Sequence, residues 1–275
     1  VAQRIVTGTI MILALIALLY FGGWVFAVTA LLVYGLGIYE ELHALAHAKH
    51  RPVWWASFAA LVVSAPLVYF FAYSAILPIL VVLSFAILLQ VMRRESPDLV
   101  DVMISILPLL TLVLPAMCIF GILQTSTRLL QLFFLVLLFA IAIGGDTCAY
   151  FAGWCIGGQK LCPNISPKKT LSGAIGGLTA SILLSGVTGF VFSRCVPSLP
   201  LPPLWANLLV GFFGGIAGQM GDLFASMVKR HCNVKDFGHL FPGHGGMLDR
   251  LDSISFVAII VYCYRVILLL GAVTP

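Results

Sequence analysis

The 275-residue chain is 61% hydrophobic and only 9% charged, with a mean hydropathy of +1.10. A soluble domain of this size carries about a quarter charged residues, so the composition excludes a water-soluble globular protein and leaves a surface that faces lipid. The formal net charge of +5 fits the cytoplasmic loops of a membrane protein, and no nucleic-acid partner is expected.

The apolar runs are long and do not alternate, which favours helices over the strands of a barrel. Split at polar or Gly/Pro punctuation, the chain gives nine candidate spans. They are Ile5–Phe21, Trp24–His47, Val53–Tyr73, Ala75–Met92, Asp101–Gln124, Leu129–Gly144, Ser172–Ser193, Leu204–His231 and Ser253–Val273. The first is expected to be a span and not a signal peptide, since no small-residue cleavage site follows it. Pro78, Pro108 and Pro115 are expected to kink or shorten the fourth and fifth spans. A continuation of the sixth to Gly157 stays open. The run 197–203, rich in proline, reads as a rigid loop. The expected fold class is therefore all-α, a polytopic integral membrane protein of about nine transmembrane helices. Residues 1–140 form its N-terminal helices and 141–275 its catalytic region, within one integrated membrane domain.

Basic residues settle the expected orientation. With this segmentation, 12 of the 15 Lys and Arg residues fall in loops on the N-terminal side, 2 fall in the opposite loops, and Arg265 lies within the last span. That bias places the N-terminus in the cytoplasm and the C-terminus outside. The seven cysteines show no CxxC pair or zinc spacing and read as reduced packing residues. Arg265 reads as a structural residue that snorkels or finds an intramembrane partner.

The segment Asp222–Asp252 holds eight of the 25 charged residues, more than a connecting loop requires. Asp222 lies inside the eighth span, where a carboxylate costs about 2.5–3.5 kcal/mol on insertion scales and must face a cavity or a partner. Gly211, Gly214, Gly215, Gly218 and Gly221 precede it, and small-residue helix packing accounts for them. Asp222, Ser226 and Lys229 or Arg230 share one helix face. Pro242–Gly243–His244–Gly245–Gly246 is a turn whose backbone N–H groups are suited to an anion. Asp249 and Asp252, with Arg250 between them, open the last helix, where capping by the helix dipole is the simpler reading. Together with Asp222 they also offer oxygen ligands for a hard divalent cation. Acids for a metal beside Lys and Arg for phosphates make the equipment of phosphoryl or nucleotidyl transfer.

A second cluster lies upstream. Asp146 sits at the cytoplasmic end of the sixth span with Tyr150 one turn away. Ile165–Gly173 then sets Lys168 and Lys169 and two hydroxyls before a helix N-terminus, a natural phosphate site. Anchoring of the loop by its positive charge explains the lysines equally well. Glu40 and Glu41, near the cytoplasmic end of the second span, read as partners for loop cations such as Lys49 or Arg51, with the lining of a lipid groove as the other reading.

Ser226–Met227–Val228–Lys229–Arg230, then Lys235–Asp236, then His244–Gly245–Gly246–Met247–Leu248–Asp249–Arg250–Leu251–Asp252 resembles the signature of the phosphatidate cytidylyltransferases, with every fixed position filled across 27 residues. The segments Asp146–Gly153 and Ser166–Gly177 are similar to upstream elements of that family. The resemblance is strong over roughly 146–252, while the first 140 residues match in hydropathy and helix number. One departure is Ser172, which stands where the family pattern has Glu.

The resemblance implies condensation of CTP with phosphatidate to give CDP-diacylglycerol and pyrophosphate, at the cytoplasmic face of a membrane and with Mg²⁺. A second metal ion stays open, and so does a homodimer. The implied roles are Mg²⁺ binding for Asp222 and Asp249, with Asp146 and Asp252 as further ligands or orienting groups. Phosphate binding falls to Lys168, Lys169, Lys229, Arg230 and Arg250, and substrate binding also to Ser226. The His244–Gly245–Gly246 turn shapes the nucleotide pocket, although His244 reads equally as a packing residue that fixes the turn. A bacterial inner membrane is the expected location, with an organelle of bacterial descent left open. The rival readings are a CTP-dependent polyprenol kinase, which would need a general base for its alcohol acceptor, and a transporter with Asp146 and Asp222 as ion ligands.

Overall fold

The computed structural model describes residues 2–71, 74, 76–199, 201–243 and 245–273. Helices dominate: α1 Ala2–Phe21, α2 Gly23–His47, α3 Trp54–Phe71, α4 Ile76–Met92, α5 Leu99–Pro108, α6 Leu114–Leu123, α7 Arg128–Phe139, α8 Gly145–Ile156, α9 Leu171–Cys195, α10 Leu204–His231 and α11 Leu248–Val273. Two π-helical turns, Leu109–Val113 and Ala140–Gly144, join α5 to α6 and α7 to α8 without a break. Counted through those turns, six described helices are long and apolar enough to cross a membrane, and three shorter apolar ones accompany them. Large side chains such as Ile16, Leu32, Phe85, Leu183 and Phe213 are exposed on these helices, as a lipid-facing surface requires.

The prolines act more gently than expected. Pro78 falls in the first turn of α4, where its missing N–H costs nothing. Pro108 and Pro115 flank the first π turn, so the lost hydrogen bonds are absorbed by a local widening and the helix runs on to Leu123. The sixth span likewise continues past Gly144 to Ile156.

The chain divides into two compact units, residues 1–124 with 228–251, and residues 125–227 with 252–275. The first boundary precedes the one expected near residue 140, and the segment 228–251 belongs with the N-terminal helices. In the first unit Tyr34, Ile38, Leu42 and Leu45 of α2 are buried, as are Leu109, Leu112 and Met117. Gly37 of α2 lies against Leu112 and Leu251. A buried Asp101 accepts from Arg94 at 2.7 Å and from the Arg51 backbone at 3.0 Å, tying together the ends of α3, α4 and α5.

In the second unit α8, α9 and α10 meet through small residues. A Cβ added at Gly177 would lie 2.8 Å from the Ala149 Cβ and 2.9 Å from the Gly145 carbonyl, and one at Gly211 would lie 2.7 Å from the Ser181 carbonyl. The expected packing role of the α10 glycines is met at Gly211, and at Gly215 against Ser181 and Leu178. Between α8 and α9 stands a short antiparallel hairpin, β1 Lys160–Cys162 and β2 Ser166–Thr170, with Lys160 opposite Thr170. Arg265 is buried and does not snorkel: its Nε donates to Thr125 at 2.9 Å. Of the seven cysteines, all free, only Cys118 and Cys232 are buried, so the packing role extends to those two alone.

Gly177→Val should destabilise the protein by about 1–3 kcal/mol through overpacking of the α8–α9 seam, read as a fall in midpoint on thermal unfolding in detergent.

Candidate active site

Within the second unit, α8, the hairpin, α9 and α10 surround a cavity of about 510 Å³. Its walls include Asp146 and Tyr150 of α8, Lys160, Lys168 and Lys169 of the hairpin, and Gln219 and Asp222 of α10. The hairpin explains the lysines' aim. In a strand successive side chains alternate, so exposed Lys168 and half-buried Lys169 leave β2 in different directions, and Lys169 Nζ reaches Asp222 Oδ2 at 2.5 Å. Both groups of that pair are only partly buried, so the contact is worth far less than a dry ion pair. Thr170 then caps α9 by accepting from Gly173 N at 3.1 Å. Ser172, in the place of the expected Glu, donates to the Gly157 carbonyl and so ties the hairpin to the end of α8.

Asp146 follows the π turn Ala140–Gly144, where Ser181 donates to the Ile141 carbonyl at 3.2 Å. Its Oδ2 accepts from Ser253 of α11 at 2.6 Å. Because α8 extends to Ile156, Asp146 lies ten residues inside the helix and not at its end, about 15 Å by helical rise. Asp222 lies nine residues before His231 in the same way. The expectation that Asp146 occupies a helix end is corrected here, while Asp222 lies inside its span as expected. Gly-Gly-Asp looks like a helix terminus by composition, but the glycines serve the α8–α9 contact.

A separate cluster belongs to the first unit. Asp249, buried at the start of α11, accepts from Lys229 Nζ at 2.7 Å through Oδ1, and from Phe237 N at 2.9 Å and Gly246 N at 3.0 Å through Oδ2. Lys229 also lies 5.4 Å from the Phe237 ring centre. The Pro242–Gly246 turn closes through Phe241 N donating to the Gly245 carbonyl at 2.9 Å. Gly245 has φ +81, a conformation that costs an L side chain, and a Cβ there would lie 2.8 Å from Asp249 Oδ2. Glu40 of α2 accepts from Met247 N at 3.0 Å and Leu248 N at 2.7 Å. Arg51, one of the cations expected to pair with Glu40 and Glu41, instead bonds Ser96 and Asp101, and Glu41 accepts from Thr111 at 3.0 Å. Of the turn's described N–H groups that of Gly246 is taken by Asp249, and the two amides just beyond it by Glu40, so these donors serve the protein's own carboxylates.

Of the other expected residues, Ser226 is half-buried one turn after Asp222, Arg230 and Arg250 are exposed, and Asp252 accepts from Ser253 N at 2.8 Å. His244 lies outside the described residues. The sequence reading missed Lys160 and Gln219 as cavity residues, Ser253 as the donor to Asp146, and Glu40 as a partner of the signature segment. Only Glu40 carried a signal, a carboxylate in an apolar helix that must find donors.

A model described as the cytidylyltransferase family matches residues 2–268. The chain belongs to the cytidylyltransferase family. Within that family it is 44% identical over 117 residues to a protein of Bacillus subtilis (strain 168) named phosphatidate cytidylyltransferase, covering 42% of this chain and 41% of that one. Proteins of the same name from Brucella suis biovar 1 and Staphylococcus haemolyticus are 41% identical over 133 residues and 42% identical over 132. Those alignments cover 48% of this chain in both cases, and 47% and 48% of the relatives. The chain thus spans about half the length of the curated relatives it matches. Membership and the apolar helices together make it a polytopic α-helical membrane protein of this cytidylyltransferase family.

Among the described residues no group of three or more His, Cys, Asp or Glu side chains gathers as a metal site. Mg²⁺ needs no such cage, since it takes one or two carboxylates and fills its octahedron with water and substrate phosphate. Asp222, which lines the cavity, fits that demand as a hard oxygen donor now neutralised by Lys169 at 2.5 Å, whereas both oxygens of Asp249 are taken, by Lys229 at 2.7 Å and by the Phe237 and Gly246 amides.

Gly245→Ala should cost more than about 1 kcal/mol, because the native φ is incompatible with a side chain, and thermal unfolding of the variant in detergent measures it.

Proposed function

We propose that the chain transfers the cytidylyl group of CTP to phosphatidate, giving CDP-diacylglycerol and pyrophosphate. The observation that carries this reading is the cavity where Lys160, Lys168 and Lys169 meet Asp146 and Asp222, which joins phosphate-binding cations to metal-binding acids in one recess. The names of the relatives support it, and the excess of basic residues in the N-terminal-side loops supports a cytoplasmic N-terminus in a bacterial plasma membrane.

A phosphate oxygen of phosphatidate forms a bond to the α-phosphorus of CTP, and the bond from that phosphorus to the β-phosphate bridging oxygen breaks. Pyrophosphate leaves with the electron pair. The nucleophile is already an anion, so no side chain has to remove a proton. What the protein must supply is neutralisation and alignment of two polyanions. Lys168 and Lys169 bind phosphate oxygens from the hairpin, and Lys169 exchanges Asp222 for a phosphate as substrate enters. In the first unit Lys229, now on Asp249, and the exposed Arg230 and Arg250 are further cations suited to phosphate. Asp146, held by Ser253, orients groups in the recess. Asp222 in the recess is the carboxylate that would hold Mg²⁺, which would neutralise charge that builds on the triphosphate.

Membranes containing the protein, supplied with phosphatidate and CTP labelled on the α-phosphate, should transfer label to lipid. Transfer from the γ-phosphate instead would identify a kinase, and no transfer from either position would remove the enzymatic reading. Asp222→Asn should lower turnover about a hundredfold or more while the protein still folds. Chelation with EDTA should stop label transfer, and added Mg²⁺ should restore it.

A further inference from the structure

Glu40 plays no part in the chemistry above, yet it is the most elaborately partnered acid on α2. It is 8% exposed, and its two oxygens take the N–H groups of Met247 and Leu248 at the start of α11. A free helix N-terminus favours negative charge there. Gly246, the preceding residue, gives its N–H to Asp249. Two carboxylates therefore hold three successive backbone amides. The loop is also shaped around Glu40: a Cβ added at Gly246 would lie 2.5 Å from both carboxylate oxygens, and one at Gly238 would collide with the same carboxylate.

We infer that Glu40 is a positioning residue for the signature segment. From α2 it fixes Met247 and Leu248, and through Gly246 it sets the Asp249 carboxylate that engages Lys229. This inference rests on the cytidylyl-transfer reading, because the placement of Lys229 and Asp249 matters to catalysis only under it. Packing alone does not account for a carboxylate here. Tyr34, Ile38, Leu42 and Leu45 already bury α2 in the first unit, and Glu40 adds a second carboxylate beside the buried Glu41. Its donors are 207 and 208 residues away in sequence, so the contact links the N-terminal helices to the segment with the strongest family signature.

The test compares Glu40→Ala, Glu40→Gln and Glu40→Asp in the full chain, in detergent, by two readouts. The first is hydrogen exchange of the peptide containing Met247 and Leu248. In Glu40→Ala those amides should exchange about tenfold faster or more, in line with the loss of an orienting partner. Gln keeps one acceptor but turns an N–H toward a donor, so its effect should be intermediate. Asp keeps the charge and should recover part of the protection. The second readout is the kinetics with CTP and phosphatidate: KM for CTP should rise about tenfold in Glu40→Ala with Tm little changed, and Glu40→Asp should regain part of that loss. Unaltered exchange in Glu40→Ala would overturn the anchoring. Faster exchange with unaltered KM and kcat, or a lowered Tm with normal kinetics, would overturn the positioning role. If Glu40→Ala does not fold, Glu40→Gln carries both readouts. A wild-type chain inactive with CTP and phosphatidate would sink the functional reading, and with it the positioning role, while exchange alone still decides the anchoring.

Discussion

Acidic side chains are scarce in this chain, and a carboxylate in an apolar setting persists only where donors surround it. Glu40, Glu41, Asp101 and Asp249 are all buried, and each has found its own solution. Glu40 takes backbone amides, Glu41 a threonine hydroxyl, Asp101 two arginines, and Asp249 a lysine with two amides. These contacts decide where loops and helix ends go. The Arg51–Ser96–Asp101 group ties three helix ends, and Glu40 with Asp249 shapes the loop before α11. Asp146 and Asp222 line the cavity, where Asp222 pairs with Lys169 and Asp146 accepts from Ser253. Those are partners that a cation or a substrate can displace.

Much of the fold was legible because hydropathy alone marks a membrane helix: among the described residues six helices are long and apolar enough to cross a membrane and three shorter apolar ones accompany them, and the largest departure is the sixth span, which runs on to Ile156. What hydropathy cannot carry is depth and partner choice. Asp146 was placed at a helix end because two glycines precede it, whereas those glycines allow α8 and α9 to touch and the helix runs on to Ile156. Lys168 and Lys169 were read in a loop. Their strand is five residues long and lacks an alternating apolar face, so periodicity gave no signal. Glu40 was assigned to nearby cations, since sequence distance was the only guide, and the true donors are backbone groups that no side-chain pattern reveals.

The signature segment teaches a related lesson. It is contiguous in sequence, and its residues were read as one constellation. In the structure Lys229, Gly245, Gly246 and Asp249 pack within the first unit, while Asp222, Ser226 and Asp252 pack within the second. A motif records which residues the chemistry requires. It does not record which core holds each of them, and here that division falls inside α10 and inside α11.

The π turn at Ala140–Gly144 has a consequence for sequence change. A π turn is an α-helix with one residue inserted, so everything beyond it is rotated by about 100° relative to an uninterrupted α-helix. Asp146 owes its direction to that extra residue. Deleting one residue between Ala140 and Gly144 would leave a regular helix with better internal hydrogen bonding, while carrying the carboxylate around the helix axis and away from the cavity. Length is therefore restrained at this turn as well as residue identity, which the close approach of Gly144 to Leu184 already limits.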